Sequence, residues 1–238
     1  MKQHHYVAIA SVTATLGATL FLAGCPGNNP SPTPTPTATP STGPTTTPNV
    51  AKEYLFPRLV NGNYTYDIVT ITTQPNTTTT ATTSATLVLT TTKLTSTEAI
   101  VTMRVDNTPV ATYSMVVKNN GVEVTEQMMR NGAVVTTKEL YTNDAFTATG
   151  ATVTAASGST GAIVVKRIDA EPLSAATESF NTLKLQALEA TPNALPQFKW
   201  VAKDMGYMGV KATSVSTSSS NGGAATESME ILLRSYTK

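Results

Sequence analysis

The chain has 238 residues, 16 Lys+Arg against 15 Asp+Glu, one Cys and two His, both within the first five positions. A near-neutral balance with no basic run excludes a phosphate-tracking nucleic-acid surface. A lone cysteine excludes a disulfide within the chain. Thr supplies about a fifth of the residues; it is β-branched and favours strands.

In chain order, the start is cationic (Met1-Lys2) and is followed by an apolar stretch over residues 6–22. That stretch is too short and too weakly apolar to read as a membrane span. It ends in Leu22-Ala23-Gly24-Cys25. A cationic start, an apolar stretch, small residues and a single Cys in this order resemble the signal and lipobox of bacterial lipoproteins. The resemblance implies cleavage between Gly24 and Cys25, a diacylglyceryl thioether on Cys25 and an acylated new amino terminus. Two or more fatty-acyl chains hold a protein stably to a bilayer, where one does not. The implied location is extracytoplasmic, at the outer membrane or the outer face of the cytoplasmic membrane. Pro26 follows the cysteine, so the Asp of the best-known inner-membrane retention signal is absent.

Removal of residues 1–24 takes both histidines, His4 and His5, with it. An alkylated Cys25 and no His then rule out Ser-His-Asp and Cys-His nucleophilic sites and imidazole or thiolate metal sites. Neither metal nor cofactor is expected, and the chain reads as no enzyme. Residues 25–50 hold eight of the 14 prolines in Thr-Pro alternation. Such a segment buries no core and extends as a tether, with a reach on the order of 75 Å.

Residues 51–238 read as one antiparallel β-domain. Ala99, Val101, Met103 and Val105 alternate with Ile100, Thr102 and Arg104; Ala111, Tyr113, Met115 and Val117 alternate with Thr112, Ser114 and Val116. Leu183, Leu185 and Ala187 alternate with Lys184 and Gln186, and Phe198, Trp200 and Ala202 with Lys199, Val201 and Lys203. Period two with one polar face marks strands wet on one side. Asn120-Gly121 and Asn131-Gly132 predict a three-stranded meander over residues 111–141. Asn61-Gly62 and Asn221-Gly222-Gly223 mark two further turns; Asp106-Asn107 and Asn143-Asp144 are hairpin-turn types. Residues 74–84 read as a polar loop or irregular hairpin tip, and Ser174 to Glu178 as a short helical turn before a strand. The expected fold is all-β, a single meander of about nine to eleven strands forming a curved sheet or half-open barrel with little helix.

Residues 200–211 hold the only Trp, two Met, a Tyr and two Gly. The Phe180 to Leu185 strand, the Trp200-x-Ala202-x-x-x-Gly206 to Lys211 stretch and a final strand ending in Ser235-Tyr236 resemble a group of uncharacterised secreted bacterial β-domains. Tyr54 to Pro57 and Asn63 to Asp67 resemble their first strand; Asp204-Met205 stands where a Pro-Gly turn is common. The resemblance implies a strongly curved antiparallel sheet, distantly like the carriers that hold lipoprotein acyl chains, and carries no catalytic residues. Trp200, Met205, Tyr207 and Met208 suit an apolar pocket lining; the alternative is that Trp200 and Met208 plug the core at a sheet corner. Asp67 with Asp204 and Asp169 with Glu171 are the carboxylate pairs to weigh as acid/base dyads. Three readings follow: a non-catalytic surface-interaction or envelope module meeting another protein or a glycan; a carrier or sensor of an apolar or amphiphilic ligand in the concave face; and a carboxylate-dependent hydrolase.

Overall fold

The computed structural model describes residues 48–73, 80–130, 133–150, 152–154, 164–188, 197–220 and 223–238. Gly24, Cys25, the Thr-Pro segment up to residue 47 and the turn residues Gln74-Pro75-Asn76, Asn131-Gly132 and Asn221-Gly222 lie outside them.

Among the described residues, two short helices and twelve strands follow one another. Helix α1 (Val50–Leu55) opens, then β1 (Asn63–Thr73), β2 (Thr80–Leu94), β3 (Glu98–Val105), β4 (Thr108–Lys118), β5 (Gly121–Arg130) and β6 (Ala133–Thr142). Helix α2 (Asp144–Thr147) leads to β7 (Thr152–Thr154), β8 (Val164–Ala175), β9 (Glu178–Leu188), β10 (Gln197–Val201), β11 (Lys211–Ser220) and β12 (Gly223–Tyr236). All strands join one sheet in the order β6-β5-β4-β3-β2-β1-β12-β11-β10-β9-β8-β7. This is the expected all-β, antiparallel, curved sheet. Its count reaches twelve with the three-residue β7.

The topology is two meanders stitched by the first and last strands, with Ile68 opposite Ile231 and Thr70 opposite Met229. The two edge strands, β6 and β7, form no ladder with each other, yet their Cα atoms approach within 8 Å. The sheet is thus bent most of the way to closure, a half-open barrel. Its inner face is apolar: Tyr66, Ile68, Leu87, Met103, Tyr113, Met115, Val122, Val124 and Leu233 are fully buried. The strand alternation that predicts this face comes directly from the period of two.

Turn chemistry accounts for the hairpins. Asp106 and Asn107 take φ of 46° and 70°, the left-handed pair that a two-residue hairpin loop needs. Asn120-Gly121 turns as expected, but its glycine is there for space: a Cβ would lie 1.9 Å from the Tyr141 carbonyl oxygen. Four local expectations are corrected. Ser174 to Glu178 forms no helical turn. Leu173 pairs with Phe180 and Ala175 with Glu178, so Ala176 and Thr177, at φ 49° and 64°, close a tight β8–β9 hairpin. Asn143-Asp144 is no hairpin turn but the start of α2. Thr80 to Ser84 are strand rather than loop, paired with Thr73 to Val69 of β1. Tyr54 and Leu55 are helical rather than strand, because Asn49 caps α1.

That cap ties the helix to the sheet. The Asn49 Oδ1 accepts from the Lys52 amide at 3.0 Å, satisfying an orphan N–H of the first turn. Its Nδ2 donates to the Lys118 and Gly121 carbonyls of the β4–β5 hairpin at 3.1 and 2.8 Å. The Ala51 amide donates to Asn143 Oδ1 at 3.0 Å, and Tyr54 stacks on Phe146 of α2 at 5.3 Å. Ala51, Leu55 and Phe56 are buried against the core.

The β10–β11 connection, residues 202–210, is the second cover. Met205, Tyr207, Met208 and Val210 are buried. The Val210 amide donates to the Trp200 carbonyl at 2.7 Å, and Leu233 in turn donates to Val210. This fold-back leaves no room for a side chain at Gly209, whose φ is 71° and whose Cβ would lie 2.3 Å from the Trp200 oxygen. Gly209→Ala is therefore expected to cost stability through clash and left-handed backbone strain, at least about 2 kcal/mol. Gly150→Ala, at φ 82° with open space around it, is expected to cost about 1 kcal/mol or less. Urea unfolding of both variants checks the order.

Candidate functional site

Period two places one charged residue on the inner face of each of three strands. In β5, Val122, Val124 and Met128 are buried, and Glu126 shares their face at 6% exposure. In β6, Tyr141 is buried and Glu139, two residues earlier, is 7% exposed. Register aligns them: Glu126 stands opposite Tyr113 of β4 and Thr137 of β6, and Glu139 opposite Val124. In β10, Lys199 is flanked by Leu185 and Ala212, both inward residues of the neighbouring strands.

Tyr207 brings the groups together. Its ring lies 4.9 Å from that of Tyr113 and 6.0 Å, edge-on, from that of Tyr141. Its hydroxyl donates to Glu139 Oε2 at 3.1 Å, and the Tyr141 hydroxyl donates to the same oxygen. The Lys199 ammonium sits over the Tyr207 ring, 3.5 Å from its centroid, an arrangement favoured by the ring quadrupole. The Tyr113 hydroxyl donates to Met103 Sδ at 3.6 Å. One buried carboxylate oxygen, Glu126 Oε1, has no hydrogen-bond partner.

Low dielectric governs the ionisation here. Burial pushes the Glu126 carboxyl up to about 8, against the pull of the Tyr113 hydroxyl. Burial also raises Glu139, opposed by its bond to Tyr141, by Lys199 and by Tyr207. Burial brings the Lys199 ammonium down to about 8, against the attraction of Glu139 and Glu126. The three tyrosines are raised by burial and by the nearby carboxylates. Each group is driven toward its neutral form, so the cluster combines proton donors, an amine and hydroxyls in one place.

The structure divides the residues singled out from sequence. Met205, Tyr207 and Met208 point into the shared core; Trp200 does not join them. Trp200 pairs with Lys184 and Lys211 on the outer face. Their ammonium groups lie 4.8 and 5.5 Å from its ring, and its Nε1 donates to the Glu171 carboxylate. Lysine stems bury the indole and a carboxylate satisfies its N–H, so an aromatic residue is accommodated outside. The inward residue is Lys199, the reverse of the alternation read from residues 198–203. Run of burial across Trp200, Val201 and Ala202 hides the period there. Asp67 lies 3.0 Å from Arg234, and Glu171 is held by Trp200 and Lys184. Asp169 accepts from the amide of Ala170, and Asp204 sits exposed in the 202–210 loop. Asp67 and Glu171 are thus each engaged by a basic side chain at the surface. Glu126 and Glu139 were the legible signal instead: each interrupts an apolar face of a strand.

Among the described residues no helix is long and apolar enough to cross a membrane, and no group of three His, Cys, Asp or Glu could hold a metal ion. No protein-family model and no curated protein matches the chain. Among solved structures it is similar to a candidate lipoprotein from Parabacteroides distasonis, with 8% identity, 78% of this chain and 99% of that one covered, and a TM-score of 0.42. It is also similar to a candidate outer membrane lipoprotein-sorting protein domain from Vibrio parahaemolyticus, at 7% identity, 74% and 84% coverage and a TM-score of 0.26. A DUF1329 family protein from Desulfovibrio piger matches at 8% identity, 74% and 85% coverage and a TM-score of 0.26. At these identities and scores none of them indicates a shared activity or ligand.

The cluster has a pH signature. A carboxyl raised on folding adds stability below its unfolded value and loses it as pH rises through the folded one. The Glu126 contribution therefore fades between about 4.5 and about 8. An amine lowered on folding does the opposite: the Lys199 contribution is full above 10.5 and fades as pH falls through about 8. The cluster's contribution to stability is expected to pass through a minimum near pH 8. Denaturant unfolding from pH 5 to 10 checks this. Glu126→Gln should flatten the acid limb, and Lys199→Met the alkaline one.

Proposed function

We propose that this chain is a lipid-anchored extracytoplasmic module whose β-domain acts non-catalytically, through its outer surface and loops, on another component of the cell envelope. The anchor rests on the Leu22-Ala23-Gly24-Cys25 lipobox, and the Thr-Pro segment after it holds the domain clear of the bilayer. One observation favours a surface role over a carrier: the inner face is covered by parts of the chain itself. Helix α1 and residues 202–210 bury Ala51, Leu55, Met205, Tyr207 and Met208 against it. A carrier of a bulky apolar ligand needs that face free. The outer face offers Val69 and Ile71 at 37% and 41% exposure beside Thr82, and Met129 and Val134 at 57% and 63% on the β5–β6 hairpin. Scattered apolar residues among hydroxyls suit a protein or glycan partner better than an acyl chain.

Two measurements test this reading. Wild-type protein is expected to fractionate with membranes, and Cys25→Ser to be released or to persist as an uncleaved precursor; identical fractionation and migration would remove the lipid anchor from the account. Native mass spectrometry of residues 51–238, produced without the lipid anchor, is expected to give the bare mass. A reproducible adduct that extracts into organic solvent would replace the surface module with a carrier.

A further inference from the structure

Helix α1, the residues just after it and the β2–β3 turn enclose an open groove of about 840 Å³. That volume falls within the roughly 300–1,000 Å³ of small-ligand sites. Its apolar wall is Phe56, Pro57, Leu94 and Val117. Four charged residues line it as well: Lys52, Glu53, Arg58 and Asp204. Glu53 is already neutralised by Lys203 at 2.6 Å. Lys52, Arg58 and Asp204 enter no ion pair among the described residues.

Hydrogen bonds hold these residues in place. The Lys52 Nζ donates to the Ser96 carbonyl at 2.7 Å and lies 5.4 Å from the centre of the Phe56 ring. An ammonium has three donors, so two remain. Asp204 is fixed through its backbone: its amide donates to the Glu53 carbonyl at 2.7 Å, and its carbonyl accepts from the Tyr64 hydroxyl at 3.0 Å. It sits at φ 64°, a left-handed conformation that Asp tolerates better than most residues. The Arg58 amide donates to the same Tyr64 hydroxyl at 2.8 Å. The groove therefore offers both signs of charge beside one apolar wall.

We propose that this groove binds a short peptide with free termini, about three residues long. Its carboxylate meets Lys52 and Arg58, its ammonium meets Asp204, and its apolar side chains lie against Leu94 and Val117. Charge complementarity selects this class. An acid without an amine is repelled by Asp204, and an amine without an acid leaves two cations unmatched. The chain's own Thr-Pro segment reaches the groove at Pro48, but residues 26–47 carry no charge and match neither sign. The lining includes none of the outer-face residues Val69, Ile71, Met129 and Val134, so this site goes beyond the surface role proposed above and does not rest on it.

The test titrates folded wild-type protein at neutral pH with the tripeptide Ala-Leu-Ala, its N-acetyl form and its C-terminal amide, read by amide NMR shifts. The free tripeptide is expected to shift the amides of Lys52, Ser96, Val117 and Asp204. Each blocked form is expected to bind about fivefold more weakly, the worth of one exposed charge pair. Lys52→Gln should weaken the free and N-acetylated peptides and leave the amide unchanged. Asp204→Asn should weaken the free and amidated peptides and leave the N-acetylated one unchanged. A fold merely disturbed by substitution does not produce this crossover. Equal affinity of the three forms for wild type, or equal weakening of all three by either variant, overturns the charge pairing. Absence of shifts at these amides with millimolar peptide overturns the site.

Discussion

The packing of Tyr207 against Tyr113 and Tyr141 is the contact on which the rest of this structure depends. A sheet bent nearly into a barrel but unjoined between β6 and β7 has an inner face that its own strands do not seal. Residues 202–210 fold back over that face, and Tyr207 reaches across from the β10 arm to β4 and β6. A run of rings continues outward: Tyr141 to Phe146 at 6.4 Å, and Phe146 to Tyr54 of α1 at 5.3 Å. Loop, both arms of the sheet and both helices are joined by aromatic contacts, each adding about 1 kcal/mol beyond the apolar area it buries.

The same contact explains why charge is tolerated inside. An isolated carboxylate in an apolar interior is prohibitively costly. Here Glu139 accepts from two tyrosine hydroxyls, and the groups move toward neutral forms that need less solvation. Tyr207 therefore acts twice, through its ring in packing and through its hydroxyl in satisfying a buried acceptor. Such networks hold a single arrangement firmly when satisfied and weaken it when one member is left out.

How far the sequence carries can be judged from particular residues. The Asn120-Gly121 and Asp106-Asn107 hairpins, the alternation through Val101 and Met103, and the all-β sheet were legible because turn chemistry and period two are local. The β8–β9 hairpin was not, since Ala176 and Thr177 are ordinary residues that adopt left-handed φ only because the strands on either side pair. Trp200 and Lys199 show the limit most clearly. Residue type suggests indole in and ammonium out; the outer face supplies Lys184, Lys211 and Glu171 to cover the indole, and the inner face supplies Tyr207 for the ammonium. Those partners are brought alongside by strand register and by the fold-back of residues 202–210, which no local pattern reveals.

The proposed function lies outside the sheet, because the inner face is already filled by residues 202–210. Amide hydrogen exchange tests that filling most directly. The Val210 and Leu233 amides, bonded to the carbonyls of Trp200 and Val210, are expected to exchange only with global unfolding, at the same free energy as Ile68 and Ile231 in the centre of the sheet. Exchange of Val210 and Leu233 at a much lower free energy than that centre would make residues 202–210 a lid over an accessible interior, and the central claim would fail.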